Sequence, residues 1–248
     1  MVDNLLNTIY NVNIKNRRVH IMNIMLPEKF TRYDKTHTKK VAFIENDILY
    51  LKSDVQFKDL MKQLTYVIYG RKICYCCCKE FPEYQLSIDH IIPQDLGGPT
   101  ITNNLLPLCR DCNNDKANML PEQFEMYRTL QEHKEKVHFV KQCQRENEGF
   151  KYDKQFTLIS EFDVVMFPVK KIRGYEEGIV HSKNQSSKEK RKQRNRQIHY
   201  EKYGRFQKAI VIDRKYHLLG GYESLMYAKK KGLKEVQVII LDNVEVIY

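Results

Sequence analysis

The stretch CYCCCKEFPEYQLSIDHIIPQDLGGPTITNNLLPLCRDCNNDK, residues 74–116, decides how this chain is read. Two cysteine clusters bracket the pair Asp89-His90, and an asparagine follows the last cysteine. Cys74 and Cys77 have the spacing that lets two thiolates of one tight knuckle hold a tetrahedral ion, and Cys109 and Cys112 repeat it. The spacing predicts a four-cysteine zinc site, closed and structural, that clamps two distant segments together. Cys76 and Cys78 are surplus thiols. Spacing alone leaves open whether either of them takes the place of Cys77.

The polar residues between the knuckles suggest a second site. Alternation over residues 85–92 predicts a strand on which Asp89 and His90 point to opposite faces, ended by Pro93 and the Gly97-Gly98 turn. Residues 109–118 read as a helix with Asn113 and Lys116 one turn apart on the same face. These groups suit phosphodiester hydrolysis. A divalent cation on hard oxygen ligands stabilises charge on a phosphoryl oxygen and on the leaving 3′ oxygen. Asp89 offers a carboxylate for it and Asn113 a carbonyl. His90 can take a proton from the attacking water, provided a backbone carbonyl or an amide orients its ring through the other nitrogen. Asn104 is the candidate for that task, by its side chain or by fixing the loop, and Lys116 is expected to contact a phosphate.

From Cys74 to about Asn118 the chain resembles the HNH endonuclease family in its zinc-knuckle ββα-metal form. The residues that carry the resemblance are Cys74, Cys77, Asp89-His90-Ile91, Pro93, Gly97-Gly98, Asn104-Leu105, Leu108-Cys109, Cys112-Asn113 and Lys116. The resemblance implies His90 as general base, Asp89 and Asn113 as ligands of the catalytic cation, and Asn104 as the residue that positions the His90 loop. Asn113 stands where the family name has its last histidine, and an oxygen donor there favours Mg²⁺ or Mn²⁺ over nitrogen-loving metals. Cys78 stands where the family usually has glycine.

Composition points the same way. The chain has 248 residues, a formal net charge of +11 and 42% hydrophobic residues, with a sequence pI of about 9.2. Such a chain is globular, and its charge suits a polyanionic partner; a solvated lysine surface is the plain alternative. DNA is the expected partner, with RNA left open. A homodimer, or a phage or mobile-element protein, completes the list of expected partners. No apolar run is long enough to span a bilayer, and the N-terminal residues lack the pattern of a signal peptide. The expectation is a cytoplasmic, bacterial or phage-encoded protein with no membrane partner.

The flanking segments read as support. Residues 1–72 hold two short strands, Val41–Ile44 and Ile48–Leu51, across a Glu45-Asn46-Asp47 turn. A helix then opens at Ser53 with Gln56 as a capping box, its apolar face Phe57, Leu60, Met61, Leu64, Val67 and Ile68, and Gly70 ends it. Residues 73–149 form the nuclease module and a single following helix from Pro121 to about Asn147, closed by Gly149. Cys143 in it is read as a buried apolar residue. Residues 150–205 hold strands at Thr157–Ile159 and Val164–Phe167, then a basic segment that is either a linker or a helix along a phosphate backbone.

Residues 206–248 alternate strand, hairpin, helix and two strands. Ala209–Asp213, Leu218-Leu219-Gly220-Gly221-Tyr222 and Val236–Leu241 resemble the ParB/sulfiredoxin-like superfamily. Gly221-Tyr222-Glu223-Ser224 carries neither the Arg nor the Cys of its active members, so a binding or dimerising role is expected, and His217 is read as a surface residue. The fold class expected is α+β, a ββα-metal module plus a small C-terminal α/β domain. The function expected is a metal-dependent HNH endonuclease or nickase acting on DNA. The rivals are a zinc-stapled nucleic-acid-binding protein without cleavage activity and a nucleotide-dependent switch in the C-terminal domain.

Overall fold

The computed structural model describes residues 26, 42–52, 56–148, 164–174, 187–204, 206 and 208–247. Among these residues the architecture is mixed α+β, with three small sheets. Strands β1 (Ala42–Glu45) and β2 (Ile48–Lys52) form a hairpin. Its turn is the pair Asn46-Asp47, both at positive φ, the backbone that a tight hairpin requires and that these two residue types tolerate. Helix α1 (Phe57–Tyr69) follows. Its N-cap is Gln56 and no side chain caps it, so the capping box expected at Ser53 is not the start of this helix; Ser53 itself lies outside the described residues. The buried face is Phe57, Leu60, Met61, Leu64 and Thr65. Val67 turns outward at 36% exposure and Thr65 replaces it, donating to Met61 O at 2.8 Å. A hydroxyl that bonds back to its own helix can enter a core that sequence patterning reserves for apolar residues.

Next come β3 (Leu86–His90), β4 (Leu105–Cys109) and α2 (Arg110–Lys116). The two strands pair antiparallel, His90 opposite Leu105 and Leu86 opposite Cys109. The single helix expected from Pro121 is two, α3 (Pro121–Thr129) and α4 (His133–Glu148). No glycine or proline marks the break. It is made by burial: Phe124 and Tyr127 of α3 and Cys143 of α4 enter the same apolar cluster as Cys74, Cys76 and Cys109. A straight helix would carry Cys143 away from that cluster. Asn147 Nδ2 donates to Asn118 O at 2.9 Å and to Gln123 Oε1 at 3.0 Å, which ties the far end of α4 back to the start of α3. Gly149 and Thr157–Ile159 fall outside the described residues.

The remaining elements are β5 (Val164–Pro168), α5 (Ser187–Tyr203), β6 (Ile210–Asp213), β7 (Leu218–Gly220), α6 (Tyr222–Lys230), β8 (Glu235–Leu241) and β9 (Val244–Ile247). Residues 187–203 of the basic segment are helical. Tyr200 of α5 stacks among Phe206 and Tyr227, and Glu201 pairs with Lys231, so the C-terminal end of this helix is anchored by packing. The four-stranded sheet runs β5-β8-β6-β7.

The C-terminal strands do not keep to themselves. β9 pairs in parallel with β2, Leu49 opposite Val244, and completes a three-stranded sheet. One apolar cluster joins Leu49, Leu60 and Leu64 to Ile92 and Leu105 of the central module and to Val211, Ile239 and Val246 of the C-terminal strands. Asp213 fastens the junction. This fully buried carboxylate accepts from the backbone N–H of Lys215, His217 and Val246 at 2.7–2.8 Å and faces His217 Nδ1 at 3.0 Å. His217 is therefore buried and bound, not a surface residue. A buried charge is tolerable only when hydrogen bonds of this kind surround it.

Candidate functional site

The knuckles are local structures. Cys78 N donates to Cys74 O at 2.9 Å and Cys74 N to Lys79 O at 3.0 Å, while Tyr75 N reaches Pro107 O at 3.0 Å and sews the first knuckle to β4. Cys109 is the last residue of β4 and the N-cap of α2. The sulfurs of Cys74, Cys77, Cys109 and Cys112 all lie within 4.8 Å of one another. Zn–S bonds of ~2.3 Å in a tetrahedron put sulfurs about 3.8 Å apart, so the donor set fits a zinc ion in both chemistry and spacing. The geometry selects Cys77: Cys76 is buried beside the group and Cys78 is exposed. The thiols already share protons unequally. Cys74 is drawn down to about 4, first by its hydrogen bond with Cys112 and against the effect of burial, while Cys112 is pushed far up by the same contact.

Cys78 sits at φ +57. This left-handed backbone costs an L-residue about 1–2 kcal/mol, which explains the glycine that the family resemblance expects there. Cys78→Gly should leave zinc content unchanged and raise stability by up to about 1 kcal/mol, since the unfolded chain also gains freedom. Urea unfolding measures this, and a clear loss of stability would contradict it.

On the other side of β3, two pairs face each other. Ser87 and Asp89 share one face of the strand, and Asn113 and Lys116 lie one turn apart on α2. Asn113 Nδ2 donates to Ser87 Oγ at 2.9 Å. Lys116 Nζ lies 3.0 Å from Asp89 Oδ2 and donates to His90 O at 2.7 Å. Lys116 is 3% exposed, and burial holds its ammonium below the usual lysine range, against the opposing effect of Asp89. A phosphate cannot reach it there. The structure gives it the task of holding Asp89 and the end of β3. Asp89 Oδ2 is buried, and the Lys116 ammonium 3.0 Å away is the partner of its charge. Asn113 on the facing helix carries a side-chain carbonyl, and a carboxylate and an amide oxygen are the hard donors that a divalent cation takes.

His90 lies at the end of β3, buried to 9% exposure. Its Nε2 is 2.9 Å from Thr100 Oγ1, which also accepts from Gln94 Nε2 at 2.9 Å. With the ring proton on Nε2 and directed at Thr100, Nδ1 keeps the lone pair that a base needs. Burial, and then the charges of Lys58, Lys62, Lys116 and Lys208, pull the imidazole down to about 3, so the ring is neutral at neutral pH.

Among the described residues it is a hydroxyl, and not a carbonyl or an amide, that bonds the ring. The sequence pattern gave Thr100 no distinguishing mark. Asn104 acts on the loop instead. It is fully buried, accepts from Ile92 N at 2.9 Å and donates to Ile92 O at 3.1 Å and Pro99 O at 2.9 Å. Its own carbonyl accepts from Ile91 N at 2.9 Å.

A family model described as HNH endonuclease matches residues 74–128. The matched segment contains the four clustered cysteines and Asp89, His90, Asn104, Asn113 and Lys116. It supports nuclease activity on nucleic acid and a divalent metal. No curated protein and no solved structure matches the chain. The match stops before residues 206–248, and the ParB/sulfiredoxin-like resemblance has no support from it.

Proposed function

We propose that this chain is a metal-dependent HNH endonuclease or nickase that hydrolyses phosphodiester bonds in DNA. The observation that carries this reading is His90, neutral and held through Nε2 by Thr100, on the strand that also carries Asp89, whose carboxylate is paired with Lys116. In the proposed reaction Nδ1 takes the proton of the water that attacks phosphorus. Asp89 and Asn113 would hold Mg²⁺ or Mn²⁺, which supplies positive charge at the phosphoryl and leaving oxygens. Lys116 fixes the Asp89 carboxylate and the His90 carbonyl, and Asn104 fixes the loop on which Thr100 stands.

The four-cysteine zinc does no chemistry here; it aims α2, because Cys112 and Asn113 are adjacent. Residues 73–149 carry the reaction, and the segments 1–72, 150–205 and 206–248 present it to its substrate. No helix among the described residues is long and apolar enough to cross a membrane. The bacterial or phage cytoplasm, and a homodimer or a phage-encoded partner, belong to the same proposal and rest on the family resemblance.

Supercoiled plasmid with Mg²⁺ or Mn²⁺ tests the proposal. The unmutated chain should convert it to nicked or linear forms, and His90→Ala should slow that by about 10²–10⁴-fold with zinc content and fold intact. Binding of plasmid with no cutting under either ion would make this a zinc-stapled nucleic-acid-binding protein and defeat the enzymatic reading.

A further inference from the structure

A side-chain amide has two unlike ends, and only its oxygen can hold a cation. The terminal torsion of asparagine is broad and roughly two-fold, so the amide of Asn113 turns over at little cost unless a neighbour tells its ends apart. The four-cysteine cluster does not do this. It fixes where the backbone of α2 stands, through Cys109 and Cys112, and leaves the Asn113 torsion alone.

Ser87 tells the two ends apart. It lies on β3 opposite Leu108 of β4, and its Oγ donates to Leu108 O at 3.3 Å. A hydroxyl has one hydrogen and two lone pairs. With the hydrogen committed to Leu108 O, lone pairs are what Ser87 offers to α2. They accept from an amide NH₂ and repel an amide oxygen. The end that meets them is Asn113 Nδ2, at 2.9 Å. The Asn113 oxygen is thereby turned away from Ser87, and no donor among the described residues bonds it. Ser87 and Asn113 are both half-buried, so the amide is not sealed from solvent. Ser87 also shares its face of β3 with Asp89, two residues along the strand.

We propose that Ser87 is a positioning residue: its hydroxyl, committed to Leu108 O, selects the end of the Asn113 amide that is presented to a divalent cation. The inference rests on the nuclease reading, in which Asp89 and Asn113 hold that cation. Residues that bond a metal ligand from behind set metal affinity by about 10–100-fold, and one neutral hydrogen bond stands at the low end of that range.

The test is Mn²⁺ binding to the full, zinc-loaded chain without DNA, read from the electron paramagnetic resonance signal of the free ion. Ser87→Val and Ser87→Ala should each weaken binding by about 10-fold with zinc content unchanged. Ser87→Thr, which has the shape of valine and keeps the hydroxyl, should bind within about twofold of the unmutated chain. In Asn113→Asp both ends of the side chain are oxygen, so orientation loses its importance, and adding Ser87→Val there should cost no more than about twofold. Unweakened binding in Ser87→Val and Ser87→Ala would overturn the inference. So would equal weakening in Ser87→Thr, or a full 10-fold loss from Ser87→Val on top of Asn113→Asp. Asp89→Ala separates this from the nuclease reading. Mn²⁺ affinity unchanged in Asp89→Ala would remove the cation site and Ser87's task together, whereas a loss there with none in Ser87→Val removes Ser87 alone.

Discussion

Replacing Cys109 with serine is expected to empty the zinc site, loosen residues 74–81 and α2, and abolish nuclease activity, with no recovery on adding Mg²⁺ or Mn²⁺. Cys109 is at once a sulfur of the cluster, the end of β4 and the N-cap of α2. Few apolar contacts would remain to hold these segments. The apolar cluster around them is built partly from Cys74, Cys76 and Cys109 themselves, with Leu86, Leu108, Met119, Phe124 and Tyr127.

Structural zinc in small knuckles contributes apparent binding free energies of about 10–16 kcal/mol, as large as the whole stability of an ordinary domain. The loss should be regional. Leu105, Ile92 and α1 sit in the other core, shared with β2, β6, β8 and β9. Hydrogen exchange should therefore show lost protection over 74–81 and 110–116 while β6 and β8 stay protected. Metal analysis and plasmid nicking complete the measurement. Retained zinc with full activity in Cys109→Ser would refute the four-cysteine clamp.

Gly98→Ala is expected to cost several kcal/mol and to reduce cleavage as severely as loss of His90, although the residue touches no substrate. A Cβ at Gly98 would lie 1.9 Å from Ile92 O and 2.8 Å from Asn104 Nδ2. The first is backbone and cannot rotate away, so the Asn104 contacts to Ile92 and Pro99 must break. Each buried polar group left without a partner costs roughly 1–3 kcal/mol. The loop that carries Gln94 and Thr100 would shift, and His90 would lose its anchor.

The neighbouring glycine provides the contrast. Gly97 is at φ +90, so Gly97→Ala pays for a left-handed backbone, about 1–2 kcal/mol. Urea unfolding of the two variants, side by side, tests the ranking. Gly98→Ala within about 1 kcal/mol of the unmutated chain would show that the loop gives way more easily than these distances imply.

Much of the central module was legible before any coordinates. Cys-x2-Cys is a local chelate, and chain connectivity alone holds its two thiols near one another. β3 follows from alternation and the Gly97-Gly98 turn, and α2 from a short polar helix; the burial of every residue of β4 hides its period. Legibility ended where a residue's partner lies far away in sequence. Lys116 reads from its place on α2 as a group for a phosphate, yet it reaches inward to Asp89 and His90 O. Thr100 looks like a turn residue and is the group that holds the His90 ring. The break between α3 and α4 has no local signal, because it is made by the cluster that Phe124, Tyr127 and Cys143 share.

The sequence by itself determined the kinds of donor on offer: two knuckles of thiols, with Cys77 left to the structure to select, and Asp89, His90, Asn104 and Asn113 in an order that resembles a nuclease module. Such information is chemical and short-range, and it survives in the order of residues. Only the tertiary structure decided that β9 pairs with β2 and that one core binds the C-terminal strands to α1 and the His90 loop. Periodicity reports which face of an element is apolar; it does not say which distant face will cover it.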